Sequence, residues 1–273
     1  MRKFLILIIL LIIGAFAAFI MGGCDGQRHE DFFDTRQVAV GSNIYNYRVY
    51  VPKRREPGEK LPVMLYLHGS GARGESNEAQ VKGFNDHINE NPERFSFIIV
   101  APQCRPGTVW TGEMIEQAVA ALDQAVAEFN GDDSRIYLAG YSMGGYGVWH
   151  MAILYPDKFA ALIPIAGGIK PNSTLVRDEI PPPSPKISAL TDSEDPYKAF
   201  AEELKQKPVW VFHGKRDDAV SVEESRKIVE ALKNAGNTNV NYTEFENTGH
   251  IIAGAAFNEL ELFEWLGKQQ LKR

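Results

Sequence analysis

Apolar residues in this chain fall into short blocks, separated by stretches in which they recur every three or four positions. The blocks run from Val63 to Leu67, Phe97 to Ala101, Ile136 to Ala139, Leu162 to Ala166, Val209 to Phe212 and Val240 to Phe245. Blocks of that length read as strands buried on both faces, and the periodic stretches between them as covering helices. The clearest helix is predicted from Thr111 to Phe129, where Ile115, Val119, Leu122, Val126 and Phe129 form one apolar stripe. Such alternation predicts an α/β fold, a mostly parallel central sheet covered by helices on both faces.

Upstream, Gln37 to Val40 and Tyr45 to Val51 read as strands joined by Gly41-Ser42-Asn43, so antiparallel strands are expected at the N-terminal edge. Ser221 and Glu224 have capping-box spacing for a helix running to about Asn234, with Gly236 as its stop. A last helix is expected over about Ala255 to Gln270. Segment 167–207 breaks the pattern: Gly167-Gly168, Pro181-Pro182-Pro183 and Pro185 cannot extend a sheet. Its place in the chain suggests a cap over a pocket, with a surface excursion as the alternative.

Composition narrows the class. A chain of 273 residues with 44% hydrophobic and 23% charged side chains suits one large domain, here assigned to residues 37–273. The net charge of −6 is dispersed, and no basic stripe interleaves with aromatics, so nucleic acid is not an expected partner. The first residues differ from the rest: Arg2 and Lys3 precede an apolar run from Phe4 to Met21, then Gly22-Gly23-Cys24. This reads as an export signal over residues 1–23, followed by a polar tether over 24–36. An uncleaved apolar helix is the alternative, since the run is about as long as a minimal membrane span. Either way the folded part is expected to be exported and held at a membrane. The other cysteine is Cys104; with Cys24 taken up by a membrane anchor, an intramolecular disulfide is not expected.

Candidate chemistry centres on Gly140-Tyr141-Ser142-Met143-Gly144, directly after the strand-like Arg135 to Ala139. A serine between two glycines at a strand-to-helix turn has the form of a nucleophile elbow, with Ser142 exposed at its tip. An acyl-transfer serine also needs a base, a carboxylate to orient it, and N–H donors for the oxyanion. Among six histidines, His29 lies in the tether, His87 in a polar helical stretch, and His150 along the helix after the elbow. His68 and His213 sit in strand-end His-Gly pairs, where packing or hydrogen bonding beneath the loop is the expected role. His250, in a short loop after the last strand, remains as the candidate base. Asp217, just after Val209 to Phe212, is the candidate carboxylate, with Asp218 its competitor. The N–H of Met143 is one expected oxyanion donor, and that of Ser70, in the glycine-rich Leu67 to Gly71 loop, the second, with Gly71 in reserve.

The order Ser142, Asp217, His250, each after a predicted strand, resembles the α/β-hydrolase superfamily. Within it, Leu67-His68-Gly69-Ser70-Gly71-Ala72-Arg73-Gly74, Ala101-Pro102-Gln103-Cys104 and Arg135 to Gly147 resemble secreted esterases and predicted peptidases grouped with phospholipase/carboxylesterase and feruloyl-esterase-like enzymes. The resemblance covers about residues 60 to 270, with Glu264-Trp265-Leu266 in the tail. It departs after His250, where Ile251-Ile252-Ala253-Gly254 replaces an aromatic, which leaves the pocket shape open. Trp110, Gln103 and Tyr141 are candidate pocket residues by position. Gly22-Gly23-Cys24 likewise resembles the bacterial lipobox, which implies lipidation of Cys24, although Met21 stands where leucine is usual. The expectation is a membrane-anchored bacterial serine hydrolase of carboxylic esters, with no cofactor or metal. A peptidase of prolyl-oligopeptidase type is the alternative, and a non-catalytic binding lipoprotein the reading from another class.

Overall fold

The computed structural model describes residues 31–170 and 182–272. The expected leader, residues 1–23, and Cys24 lie outside the described residues, as does 171–181 within the expected cap. Eight strands make one sheet: β1 (Asp34–Val40), β2 (Asn43–Tyr50), β3 (Leu61–Leu67), β4 (Ile98–Pro102), β5 (Gly131–Tyr141), β6 (Ala161–Ile165), β7 (Val209–Gly214) and β8 (Val240–Phe245). Their spatial order is β1-β2-β4-β3-β5-β6-β7-β8. β1 pairs antiparallel with β2, and β2 antiparallel with β4; every later pairing is parallel. Both the parallel body and the antiparallel N-terminal edge therefore match the pattern of the blocks. The β1–β2 turn is tighter than expected, because Gly41 adopts φ +57° and Asn43 already pairs with Val40. β1 also begins at Asp34, inside the stretch read as tether: Asp34, Thr35 and Arg36 pair with Val49, Arg48 and Tyr47. Pro62, which has no N–H for the ladder, marks a register shift between Leu61 and Val63 on β3.

Side chains alternate across the sheet. Leu65, Leu138, Leu162 and Val211 face one helical layer: α2 (Glu113–Glu128), α3 (Met143–Leu154), α4 (Pro185–Thr191), α5 (Pro196–Leu204) and α6 (Glu223–Asn234). Met64, Tyr66, Tyr137 and Ile163 face the other: α1 (Lys82–Glu90), α7 (Ala253–Phe257) and α8 (Leu260–Gly267). α3 is buried along almost its whole length, with Val148, Trp149, Met151 and Ile153 all within the core. The described part of 167–207 forms α4 and α5, whose Ile187, Phe200 and Leu204 pack into the first layer.

Two expected helices differ. The last is broken at Asn258–Glu259 into α7 and α8. On one continuous helix Phe257 and Leu262 would point about 140° apart. The break lets both enter the same layer, where both are buried. α6 begins at Glu223 without a side-chain cap. Ser221 Oγ accepts from Glu223 N–H at 3.3 Å, while the Glu224 carboxylate turns away to Ile169 N–H (3.3 Å) and Tyr197 hydroxyl (2.8 Å). The capping box thus gives way to a tether between α6, α5 and the loop after β6. Among the described residues no helix is long and apolar enough to cross a membrane.

Candidate active site

Ser142 stands between β5 and α3 with φ 54° and ψ −116°. A non-glycine residue at positive φ is strained by about 1–3 kcal/mol and needs its surroundings to hold it. Here its N–H donates to Ile165 carbonyl at 2.8 Å, and its own carbonyl accepts from Tyr146 N–H at 3.2 Å. The flanking glycines are required by close approach: a Cβ on Gly144 would run into the carbonyls of Leu67 and His68, and one on Gly140 into Gly144. The G-x-S-x-G spacing is therefore a statement about backbone contact.

A hydrogen-bonded line runs inward from Ser142. His250 Nε2 lies 2.8 Å from Ser142 Oγ, and His250 Nδ1 lies 2.7 Å from Asp217 Oδ2. The Asp217 side chain is wholly buried, and its Oδ1 accepts from the N–H groups of Ala219 (2.9 Å) and Val220 (2.8 Å). Burial acts to raise the Asp217 pKa, but hydrogen bonds from His213, His250 and these two amides hold it well below the usual carboxylate range. Asp218 is exposed and stands outside this line. An imidazole so placed can take the serine proton on Nε2 while its Nδ1–H stays fixed on the carboxylate.

The loop from His68 to Ala72 lies against the serine. Ser70 opens a 3₁₀ turn and Met143 opens α3, so neither N–H has an acceptor within its own helix. The turn comes close: a Cβ on Gly69 would sit 3.4 Å from Ser142 Cβ. His68 is the loop's anchor. Its Nε2 accepts from Cys104 N–H at 2.9 Å, which leaves Nδ1 to donate to Gly69 carbonyl at 2.7 Å. Burial lowers its pKa to about 4, so it is neutral. Trp110 Nε1 donates to His68 carbonyl at 3.0 Å, and Gln103 bridges Ala72 carbonyl (2.8 Å) to Asn77 N–H (2.8 Å). Of the three position-based pocket candidates, Trp110 and Gln103 therefore brace the loop, and Tyr141 alone lines the cavity.

That cavity measures about 440 Å³ and opens beside the site. Tyr66, Phe84, Tyr141 and Phe257 give it aromatic walls, while Gly69, Ala253 and Gly254 leave its floor open. The departure after His250 thus becomes space. His87, read as part of a polar helical stretch, also lines it. The signal was available: Phe84, His87 and Ile88 share one face of α1. Among the described residues no group of three or more His, Cys, Asp or Glu is placed to hold a metal.

Known proteins agree with this architecture. The chain is 26% identical over 224 residues to the bifunctional acetylxylan esterase/xylanase XynS20E of Neocallimastix patriciarum, covering 78% of this chain and 28% of that protein. It is 28% identical over 261 residues to probable carboxylesterase 8 of Arabidopsis thaliana, covering 80% and 75%. The crystal structure of a thermostable esterase superposes with a TM-score of 0.72 at 28% identity, over 89% of this chain and 64% of that one. The chain thus spans less than a third of the first of these relatives and about two thirds of the solved esterase. The profile of the prolyl oligopeptidase family matches residues 108–269, more than half of the chain, from α2 through the elbow to α8. By that match and by its sheet, the chain belongs to the prolyl oligopeptidase family, within the α/β-hydrolase superfamily.

Proposed function

We propose that the chain is a serine hydrolase that cleaves carboxylic esters through an acyl-enzyme. The observation that carries this reading is the unbroken line from Ser142 Oγ through His250 to Asp217, at 2.8 and 2.7 Å. Ser142 attacks the carbonyl carbon as His250 Nε2 takes its proton, and the developing oxyanion meets the N–H groups of Ser70 and Met143. Collapse expels the alcohol, protonated by His250; water activated by the same imidazole then attacks the acyl-enzyme and frees Ser142. No step calls on a metal or a cofactor. Esterases among the relatives and the cavity beside Tyr141 favour esters, whereas the family match keeps peptides as a second substrate class. The leader pattern supports export and attachment to a bacterial membrane through lipidated Cys24.

A fluorophosphonate probe tests the reading directly. It labels Ser142 in the folded protein and not in Ser142→Ala, and labelling stops turnover of short p-nitrophenyl esters. Absence of labelling at Ser142 sinks ester and peptide readings together, while cleavage of aminoacyl amides without ester turnover reverses their order.

A further inference from the structure

Asp217 serves a second imidazole besides that of His250. His213, at the end of β7 and fully buried, places Nε2 3.2 Å from Asp217 Oδ2, the same oxygen that His250 engages. Its Nε2 also lies 3.0 Å from Val220 carbonyl. Both neighbours are acceptors, so Nε2 carries the proton. Nδ1 faces the hydroxyl of Ser225, 2.6 Å away on α6 and itself buried. The ring of His213 is therefore held at both nitrogens by its surroundings.

We infer that His213 is a positioning residue, a donor that holds Asp217 in register with His250 and draws part of the carboxylate charge away from it. This rests on the serine-hydrolase reading of the same site. With two amides on Oδ1 and two imidazoles on Oδ2, the carboxylate has no free rotation about its last bond. Removing the His213 donor frees that rotation and concentrates charge on Oδ2 facing His250. A more negative partner favours the imidazolium, so His250 becomes a base that is protonated at higher pH.

Other charges near the pair do not compete for this effect. Tyr141 at the end of β5 and Tyr146 on α3 both feel Asp217; burial is the first cause that pushes both phenols up, followed by Asp217 at Tyr141 and by Glu224 and then Asp217 at Tyr146, so they stay neutral through the working range. Glu244, across from His213 on β8, is held by Arg226 at 2.6 and 2.9 Å. Asp218 is exposed on the loop, and from α6 His213 meets the uncharged Ser225.

The test uses the chemistry of the side-chain amides. A glutamine amide at position 213 places its nitrogen where imidazole Nε2 stood; an asparagine amide reaches only the Nδ1 position. Ester turnover is measured for wild type, His213→Gln, His213→Asn and His213→Leu, with kcat/KM recorded against pH. The expected result is a fall in kcat of about 10-fold or more for Asn and Leu with KM little changed, and near-wild-type kcat for Gln. The acidic limb of the profile moves up by about half a pH unit in Asn and Leu and stays in place in Gln. Thermal unfolding of each variant separates loss of fold from loss of positioning. Should Leu fail to fold, Ser225→Ala, which releases the far side of the imidazole, shifts the limb in the same direction. Equal losses in Gln and Leu, or an unmoved limb in every folded variant, overturn the inference. Wild-type protein that neither labels at Ser142 nor hydrolyses esters removes the parent reading with it, whereas an active wild type with an unmoved limb removes this inference alone.

Discussion

The phenol of Tyr141 donates to the carbonyl oxygen of His250 at 3.1 Å, and its ring lies 5.2 Å from the imidazole, tilted by 36°. The residue preceding Ser142 thus clamps the loop that carries His250. Tyr141→Phe keeps the ring and loses the clamp. Its kcat is expected to fall by about 2-fold to 10-fold, the worth of one net hydrogen bond, with fluorophosphonate labelling slowed in parallel. Unchanged kcat would show that the loop is held elsewhere.

Replacing Asp217 by asparagine offers the imidazole an amide that can donate where the carboxylate only accepts. His250 is then free to turn its unprotonated nitrogen inward, and kcat is expected to drop by about 10³-fold to 10⁴-fold. Asp218→Asn, on the exposed neighbour, should leave kcat within about 2-fold. The two variants assayed side by side decide between the carboxylates, and comparable losses would undo the assignment.

Gly254 leaves the cavity open towards His87: a Cβ there would come within 3.0 Å of the His87 ring, which can swing aside. Gly254→Phe fills that space. The expected outcome is a loss of about 10-fold in kcat/KM for bulky esters, with methyl acetate changed by no more than about 2-fold. A uniform loss across the series, or none, would place substrate in some other part of the rim.

Stability should decline in mild acid for reasons unconnected with the reaction. Burial lowers the pKa of both His68 and His150 to about 4. An unfolded histidine titrates near 6.5, so between about pH 6.5 and pH 4 the unfolded chain binds protons that the native protein refuses. The stabilisation is complete above that window and is lost as pH falls through it, by up to about 3 kcal/mol for each residue. Urea midpoints measured at pH 7.5 and pH 5 should show the drop, and His150→Gln should flatten it. A midpoint independent of pH would refute the burial argument.

The parallel body of the sheet was legible because β3 to β7 carry nearly continuous apolar blocks, whereas β8 at its edge alternates and is only half-buried; the antiparallel edge was legible because Gly41 is the residue that a tight turn demands. Ser142 could be singled out for a local reason: backbone contact forces glycine at 140 and 144. Asp217 and His250 followed from their places just after predicted strands, once the other histidines were set aside. What escaped depends on meetings between distant segments. The carboxylate of Glu224 finds Ile169 and Tyr197 in place of its own helix end, and no spacing rule anticipates those partners. The break after Phe257 arises from two side chains competing for one layer. His213 was placed beneath its loop, but its contact with Asp217 depends on how the chain turns after Gly214. The wall that His87 contributes was signalled by its spacing from Phe84 and Ile88, a signal outweighed by the polar residues around it on α1.

In the sheet order, Ser142 follows β5 and Asp217 follows β7, with β6 lying between them and contributing no side chain to the line from Ser142 through His250 to Asp217. Two strand spacings amount to about 9.6 Å, a gap that one imidazole with a hydrogen bond at each end can bridge. The separation of Ser142 and Asp217 is thus gauged by the hydrogen-bond pitch of the sheet, which no surface loop can stretch. Loops around the rim are left free to change length and composition, and with them the molecules admitted, while the gauge beneath stays the same.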